Sequence, residues 1–176
     1  MEFRRKPIIM TATMGAADFA WADALRQKYY PVEKNQLPAH ITLFHHLPPQ
    51  GLDEIVRLAK KTTEEYSCPL CTLMEVMQFD GGVAYRLSSP QLLELRQFFV
   101  ESFHGLLVQQ DQQKPRFHVT VQNKVAPDVS KKLFRELCEK FETRSFEITG
   151  LALFYYLEGP WEEIGRWRFR GKSTSI

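Results

Sequence analysis

Apolar residues follow a period of two along some stretches of the chain and a period near 3.6 along others. Apolar, β-prone runs bounded by breaker residues predict seven strands, at residues 8–14, 37–47, 70–79, 83–87, 117–125, 145–157 and 161–169. Apolar stripes at helical spacing predict four helices, at residues 18–30 and 52–66 and after Pro90 and Pro127. In the last helix, Val129, Leu133, Leu137 and Phe141 are expected to face the core. The polar stretch 109–115 is expected to be a mobile loop.

These elements occur twice in the same order. A shift of 78 positions carries His40 onto His118 and Gly81 onto Gly159. We infer a tandem duplication and an α+β, bilobal fold, in which two antiparallel-rich sheets flanked by helices are related by a pseudo-twofold axis. The two lobes would enclose a cleft.

The duplication does not predict two independent domains, because the hairpin return from Val83 is shared between the halves. Residues 1–176 are expected to form a single bilobal domain. Lobe A covers about residues 7–82, lobe B covers about residues 83–170, and residues 171–176 form a tail.

Each half contains one His-x-Thr-x sequence. The first is His40-Ile41-Thr42-Leu43 and the second is His118-Val119-Thr120-Val121. Successive side chains of a strand point to opposite faces, so each His shares a face with its Thr. Two such strands facing one cleft bring together two imidazoles and two hydroxyls. That set can hold a phosphate and perform acid–base chemistry on it.

Paired His-x-Thr-x strands in duplicated α+β lobes are the signature of the two-histidine (2H) phosphoesterase superfamily. Over about residues 8–169 the chain resembles its bacterial 2′–5′ RNA ligase-like, cyclic phosphodiesterase branch. The resemblance implies a metal-independent, cofactor-free enzyme that opens a cyclic or 2′-linked ribonucleotide phosphodiester. It implies that His40 and His118 are the catalytic pair, with His40 as proton donor and His118 as base, and that Thr42 and Thr120 hold the phosphate.

Opening a 2′,3′-cyclic phosphate requires one base and one acid, and imidazole suits both because its ordinary pKa is about 6.5. The same groups catalyse the reverse reaction, so a reversible 2′–5′ RNA ligase is the alternative. A non-catalytic nucleotide-binding module is a third reading, which the intact histidine pair argues against. The sequence leaves open which ester oxygen departs and what the natural substrate is.

Four residues near the motifs are predicted substrate contacts: Phe44, Lys114, Arg116 and Gln122. Core packing is the default expectation for Phe44, Tyr156 and Trp161. Of the three, Phe44 is preferred for stacking a base, because it lies on the face of His40. Family motifs are often followed by small or basic residues, and the Phe and Gln found here leave substrate choice open. Arg166, Arg168 and Arg170 alternate with aromatic residues, where a solvated strand face is favoured over an RNA-tracking stripe.

The remaining histidines and cysteines give weaker indications of a metal or redox site. His45 and His46 are adjacent and would point to opposite faces, so no metal site is expected. Cys68 and Cys71 have the C-x-x-C spacing, but they lie between a helix and a strand without a second pair, which favours ordinary side chains over a redox or zinc site.

Composition and charge limit the classes of substrate and partner that the protein can be expected to bind. The net charge of +2 suits a small anionic substrate, and we expect an RNA end or a small nucleotide. No apolar run is long enough for a membrane span. Three cysteines, an odd number, give no disulfide framework and predict a cytoplasmic location. A monomer is expected.

Overall fold

The computed structural model describes residues 6–175, which form a seven-stranded antiparallel sheet flanked by helices. The strands are β1 (Ile8–Met14), β2 (Ile41–Leu47), β3 (Leu70–Phe79), β4 (Gly82–Ser88), β5 (His118–Gln122), β6 (Ser145–Tyr156) and β7 (Trp161–Arg168). The helices are α1 (Ala16–Tyr29), α2 (Leu52–Glu65), α3 (Pro90–Ser102), α4 (Gln109–Gln112) and α5 (Pro127–Glu139). The predicted α+β fold is confirmed. No helix within the described residues is long and apolar enough to cross a membrane.

A single strand joins the two predicted sheets. The strand order is β2-β1-β6-β3-β4-β5, and β7 also pairs with β6. The first residues of β6, 145–147, pair with β3, whereas residues 148–156 pair with β1 and β7. The sheet is therefore continuous through β6.

The third strand of each sequence repeat lies in the other half of the sheet. β3 of the first repeat pairs with β4 of the second, and β6 of the second repeat pairs with β1 of the first. The predicted boundary near residue 82 thus separates the sequence repeats, while each half of the sheet contains strands of both. This exchange leaves the two motif strands at opposite ends of the strand order, and residues of β2 and β5 approach to within 8 Å between Cα atoms.

Helices α2 and α5 occupy equivalent places in the two halves. Helix α2 packs on β6 and β7 through Ile55 and Ala59, and α5 packs on β3 and β4 through Leu133 and Leu137. The prediction that Val129 faces the core is wrong, because its side chain is 45% exposed. Positions four residues apart drift by about 40° around a helix, so the first member of this stripe has turned to solvent.

Two further predictions need correction. Strand β2 begins at Ile41 rather than at residue 37, and β5 ends at Gln122, where Lys124 with a φ of 62° turns the chain. The stretch 109–115 contains the short helix α4, and Asp111 within it is only 1% exposed. This stretch is therefore anchored to the body of the protein rather than a purely polar loop.

Candidate active site

Both motif strands carry a β-bulge just after the threonine. The register pairs Thr11 with Thr42 and Met10 with Phe44 in the first half, and Ala84 with Thr120 and Val83 with Gln122 in the second. In each case one residue of the neighbouring strand faces two residues of the motif strand. Two successive side chains therefore turn inward after each motif threonine, and simple alternation fails there.

The bulges explain why two predicted substrate contacts are wrong. Phe44 has no exposed surface and packs against Phe99, with its ring centroid 4.6 Å from the guanidinium carbon of Arg96. Gln122 is 4% exposed, and its Nε2 donates to the carbonyl oxygen of Tyr29 at 3.4 Å. Both side chains belong to the interior, out of reach of a substrate.

The two histidines are held in the same way. Nδ1 of His40 lies 2.8 Å from the carbonyl oxygen of Pro38, and Nδ1 of His118 lies 2.6 Å from that of Arg116. A carbonyl only accepts, so each neutral ring carries its proton on Nδ1 and leaves Nε2 for proton exchange. In both motifs the carbonyl oxygen that holds Nδ1 belongs to the residue two positions before the histidine, as the duplication requires.

His40 has a distinctive environment. Its ring is half-buried and lies 4.7 Å from the ring of Trp161, centroid to centroid. Burial lowers the pKa of His40 to about 4; the Pro38 carbonyl opposes this, while Arg26 and His118 add to it. His40 is therefore uncharged at neutral pH.

The motif threonines are half-buried beside the histidines. Thr42 lies in β2 and Thr120 in β5, two strands that approach to within 8 Å between Cα atoms, and His118 is near enough to His40 to lower its pKa electrostatically. Hydroxyl groups in this position can donate to the non-bridging oxygens of a phosphate. The two strands that carry the motifs thus lie near each other although they stand at opposite ends of the strand order.

A buried arginine, which the sequence did not suggest, ties the two motifs to each other. Arg26 of α1 is 4% exposed, and its Nε donates to the carbonyl oxygen of Leu37 and to Oδ1 of Asn35, both at 2.8 Å. Its Nη1 donates to the carbonyl oxygen of Thr120 at 3.1 Å. One side chain therefore connects the segment before His40 with the second motif strand.

A second buried arginine makes the reciprocal connection. Arg96 of α3 donates from Nε to the carbonyl oxygen of Leu43 at 2.9 Å and from Nη2 to that of Asp111 at 2.6 Å. The Asp111 carboxylate accepts from the backbone N–H groups of His45 and His46, the shortest contact being 2.7 Å. Burial opposes ionisation of Asp111, but these bonds and the His45 side chain hold its pKa below the usual range. His45 thus helps to hold α4 against β2 by contacting the Asp111 carboxylate.

Lys114 and Arg116, which are predicted substrate contacts, lie beside the second motif. Both are exposed and line a cavity of about 720 Å³ at the start of β5. Arg86, which was not predicted, lines the same cavity and pairs in register with His118 across β4 and β5. Its Nε donates to the Glu75 carboxylate at 2.6 Å. Only the pairing register reveals this neighbour, so sequence reasoning had no signal for it.

The C-x-x-C pair has the properties of ordinary side chains. Cys71 is fully buried, and burial raises the pKa of its thiol to about 12. Burial also raises the pKa of Cys68. Neither thiol is biased towards the reactive thiolate. Within residues 6–175, no group of three or more His, Cys, Asp or Glu side chains could hold a metal ion.

Comparison with known proteins agrees with this geometry. The family described as the 2'-5' RNA ligase superfamily matches residues 15–160, a span that includes both motifs. The chain belongs to this superfamily. Membership supports an enzyme with a phosphoesterase or ligase role. No curated protein matches the sequence significantly.

Solved structures share the fold of this superfamily member. TT0787 of Thermus thermophilus has a TM-score of 0.66 at 14% identity, covering 95% of this chain and 100% of its own. E. coli LigT complexed with 3'-AMP has a TM-score of 0.61 at 15% identity, covering 93% and 98%. LigT complexed with NADP+ has a TM-score of 0.60 at the same identity and coverage. At these identities the likeness establishes the fold, which agrees with the predicted 2H phosphoesterase assignment.

Proposed function

We propose that this protein is a phosphodiesterase that opens 2′,3′-cyclic phosphate, or 2′–5′-linked, ribonucleotide or RNA ends by two-histidine acid–base catalysis. The observation that carries the proposal is the matched pair His40 and His118, each bonded through Nδ1 to the carbonyl two residues earlier. The pair leaves two Nε2 atoms for proton exchange at one cleft. No resident metal or cofactor takes part in the proposed reaction.

The lowered pKa of His40 supports a base role, the reverse of the order that the family resemblance implies. Nε2 of neutral His40 takes a proton from water as the water oxygen bonds to phosphorus. The bond from phosphorus to one ribose oxygen breaks, and that oxygen receives a proton from Nε2 of protonated His118. Water is consumed, and the product is a nucleoside monophosphate or the corresponding RNA end.

Thr42 and Thr120 are proposed to donate to the non-bridging phosphate oxygens, where negative charge is held in the transition state. Lys114 and Arg116 are proposed to attract the anionic substrate towards His118 from the rim of the neighbouring cavity. Phe44 and Gln122 have no part in this proposal.

The active unit is proposed to be a monomer in the cytoplasm. One chain supplies both motifs, so the site needs no second copy. Cys68, Cys71 and Cys138 are free thiols, as suits a reducing compartment.

The test is hydrolysis of the four nucleoside 2′,3′-cyclic monophosphates in the presence of EDTA, with products separated by chromatography. We expect turnover to a single monophosphate isomer, which identifies the oxygen that leaves. If the folded protein turns over neither these compounds nor a short RNA with a 2′,3′-cyclic end, the proposal is wrong. Joining of that RNA to a 5′-hydroxyl end would assign the ligase direction instead.

A further inference from the structure

The cavity beside His118 lies between the start of β5 and the start of α3. Its volume of about 720 Å³ is within the range of small-molecule sites. The charged side chains that line it are three cations and one carboxylate: Arg86, Lys114, Arg116 and Glu75. We call it the cationic cavity, because its cations outnumber its carboxylate.

The cations of this cavity have donors to spare. Among the described residues, no carboxylate forms an ion pair with Lys114 or Arg116, and both side chains are exposed. Nε of Arg86 donates to the Glu75 carboxylate at 2.6 Å, and the Arg86 side chain is 39% exposed. A guanidinium has five N–H donors in a planar fork, so this bond leaves others for a ligand. Three cations around one cavity favour a phosphate group.

Arg86 stands directly beside the second catalytic histidine. Arg86 and His118 are partners in the register of β4 and β5. The next pair, Leu87 and Phe117, is joined by a bond from the Leu87 N–H to the Phe117 carbonyl oxygen at 2.8 Å. Hydrogen-bonded and non-hydrogen-bonded pairs alternate along antiparallel strands, so Arg86 and His118 form a non-hydrogen-bonded pair, the kind with closer side chains. Arg86 therefore places a cation on the same face of the sheet as the His118 ring.

The start of α3 adds to the positive potential. Ser89 and Pro90 line the cationic cavity, and α3 begins at Pro90. The N-terminal end of a helix carries a partial positive charge that favours anions. The Ser89 hydroxyl accepts from the Leu92 N–H at 3.3 Å, so the helix contributes its dipole rather than that donor.

The proposed reaction determines which part of the substrate comes near this cavity. His40 activates water, so water attacks phosphorus from the His40 side. His118 protonates the departing oxygen, which stays on the ribose, so the ribose lies on the His118 side. In an RNA chain the next phosphate is attached to the 5′ oxygen of that same ribose.

We propose that the cationic cavity binds the phosphate on the 5′ oxygen of the terminal ribose, with Arg86 as its main partner. This assignment rests on the proposed function, since it takes His118 to be the acid. It makes Arg86 a specificity-determining residue. The preferred substrates carry a 5′-linked phosphate besides the cyclic one, either as the 3′ end of an RNA chain or as a small 5′-phosphorylated nucleotide.

The test compares three compounds with the same reacting ring: adenosine 2′,3′-cyclic phosphate, its 5′-phosphorylated form, and the dinucleotide cytidylyl-(3′→5′)-adenosine 2′,3′-cyclic phosphate. The wild type is expected to prefer the two compounds with a 5′-linked phosphate by about tenfold in kcat/KM, mainly through KM, as a hydrogen bond to a charged group provides. Arg86→Met should remove most of this preference, and Arg86→Lys, which keeps the charge, should restore part of it. Arg57→Met is the matched control, because Arg57 bonds the Glu54 carboxylate through Nε at 2.7 Å on the exposed face of α2.

The three substrates also distinguish the two sources of the phosphate. A preference for both phosphorylated compounds supports the subsite and assigns it to an RNA chain, whereas a preference for the mononucleotide alone supports it and assigns it to a small nucleotide. Equal kcat/KM for all three compounds in the wild type would overturn the subsite. A preference that persists in Arg86→Met, or an equal loss on all three compounds in that variant, would also overturn it.

Failure of the subsite and failure of the proposed function are distinguishable. If the wild type hydrolyses none of the three compounds, the proposed function fails, and calorimetry decides the subsite separately. Adenosine 2′,5′-bisphosphate should then bind more tightly than adenosine 2′-monophosphate, and Arg86→Met should abolish the difference. Equal binding of the two compounds would overturn the subsite.

Discussion

Nη1 of Arg26 donates to the carbonyl oxygen of Thr120 at 3.1 Å, although 94 positions separate the two residues. The same guanidinium bonds Leu37 and Asn35, in the segment that leads to His40. A buried side chain that makes no hydrogen bond to either histidine ring therefore links the segment before His40 to the second motif strand. Arg26 is a positioning residue.

Replacing Arg26 is expected to weaken both stability and catalysis. In Arg26→Met the apolar stem is kept, but three acceptors lose their donor, and leaving such groups unsatisfied in the interior costs about 1–3 kcal/mol each. We expect urea denaturation to give a free energy of unfolding lower by about 3 kcal/mol, and kcat to fall in the folded variant. Arg57→Met, on the exposed face of α2, is the control and should change neither quantity. An Arg26 variant with unchanged kcat would contradict the positioning role.

Removing either imidazole should abolish most activity. An acid or base role is typically worth about 10²–10⁴-fold, so we expect His40→Ala and His118→Ala each to lower kcat by that order with the fold retained. His46→Ala, an exposed residue of β2, is the matched control for a surface histidine on a motif strand. Circular dichroism checks folding. Near wild-type turnover in either catalytic variant would refute the assignment.

The hydroxyl groups of the motif threonines can be removed without changing shape. Thr42→Val and Thr120→Val are expected to lower kcat by about 10²-fold each, since each loses a donor to the charged transition state. Thr72→Val serves as the control, because the Thr72 hydroxyl bonds Ser145 at 2.9 Å away from the cleft. Steady-state kinetics on a cyclic nucleotide distinguishes a fall in kcat from a rise in KM. A change in KM alone would assign ground-state binding instead.

The lowered pKa of His40 should shift the acidic limb of the pH profile. As base, His40 must be neutral, so kcat/KM is expected to persist as pH falls through 6.5 and to decline near pH 4. Profiles of kcat/KM in matched buffers test this. An acidic limb that stays near the ordinary histidine pKa would contradict the neutral state of His40 in the free enzyme.

The same pKa links His40 to stability. Between pH 6.5 and about 4 the unfolded chain binds a proton at His40 that the folded chain does not, so the free energy of unfolding falls as pH falls. A tenfold difference in proton affinity corresponds to about 1.4 kcal/mol, so the loss reaches about 3 kcal/mol at pH 4 and vanishes above the ordinary pKa. His40→Asn should lose less stability than the wild type over this range in urea titrations. Parallel curves for the two proteins would show that His40 is not the group responsible.

The sequence predicted the elements, and it reveals the two His-x-Thr-x motifs, because both depend on short-range patterns. Strand alternation, helical spacing and the 78-residue shift are visible without any pairing. The errors came from long-range register. Strict alternation would place Phe44 and Gln122 on the same face as the motif histidines, but a bulge in each motif strand turns their side chains into the interior. Asp111, in a stretch that reads as a loop, is buried only because it meets backbone N–H groups of β2.

Contacts between distant segments could not be predicted from the sequence patterns either. Arg26 and Arg96 read as ordinary polar positions on their helices, yet each crosses to a motif strand of the other repeat. Alternation favours Phe44 over Trp161 as a neighbour of His40, yet the Trp161 ring lies 4.7 Å from that of His40, centroid to centroid. Register and strand order, rather than propensity, carry this information.

The pairing of β1 with β6 constrains how the chain can fold during synthesis. β1 ends at Met14, but the partner on one of its sides begins only at residue 145, about 130 residues later in synthesis. At ribosomal speeds of about 5–20 residues per second, that edge stays unpaired for roughly 10 s. An open strand edge is a template for aggregation, so the nascent protein is expected to need protection by a chaperone during this interval. His40 leaves the ribosome early, yet its catalytic environment is assembled only when the last third of the chain arrives.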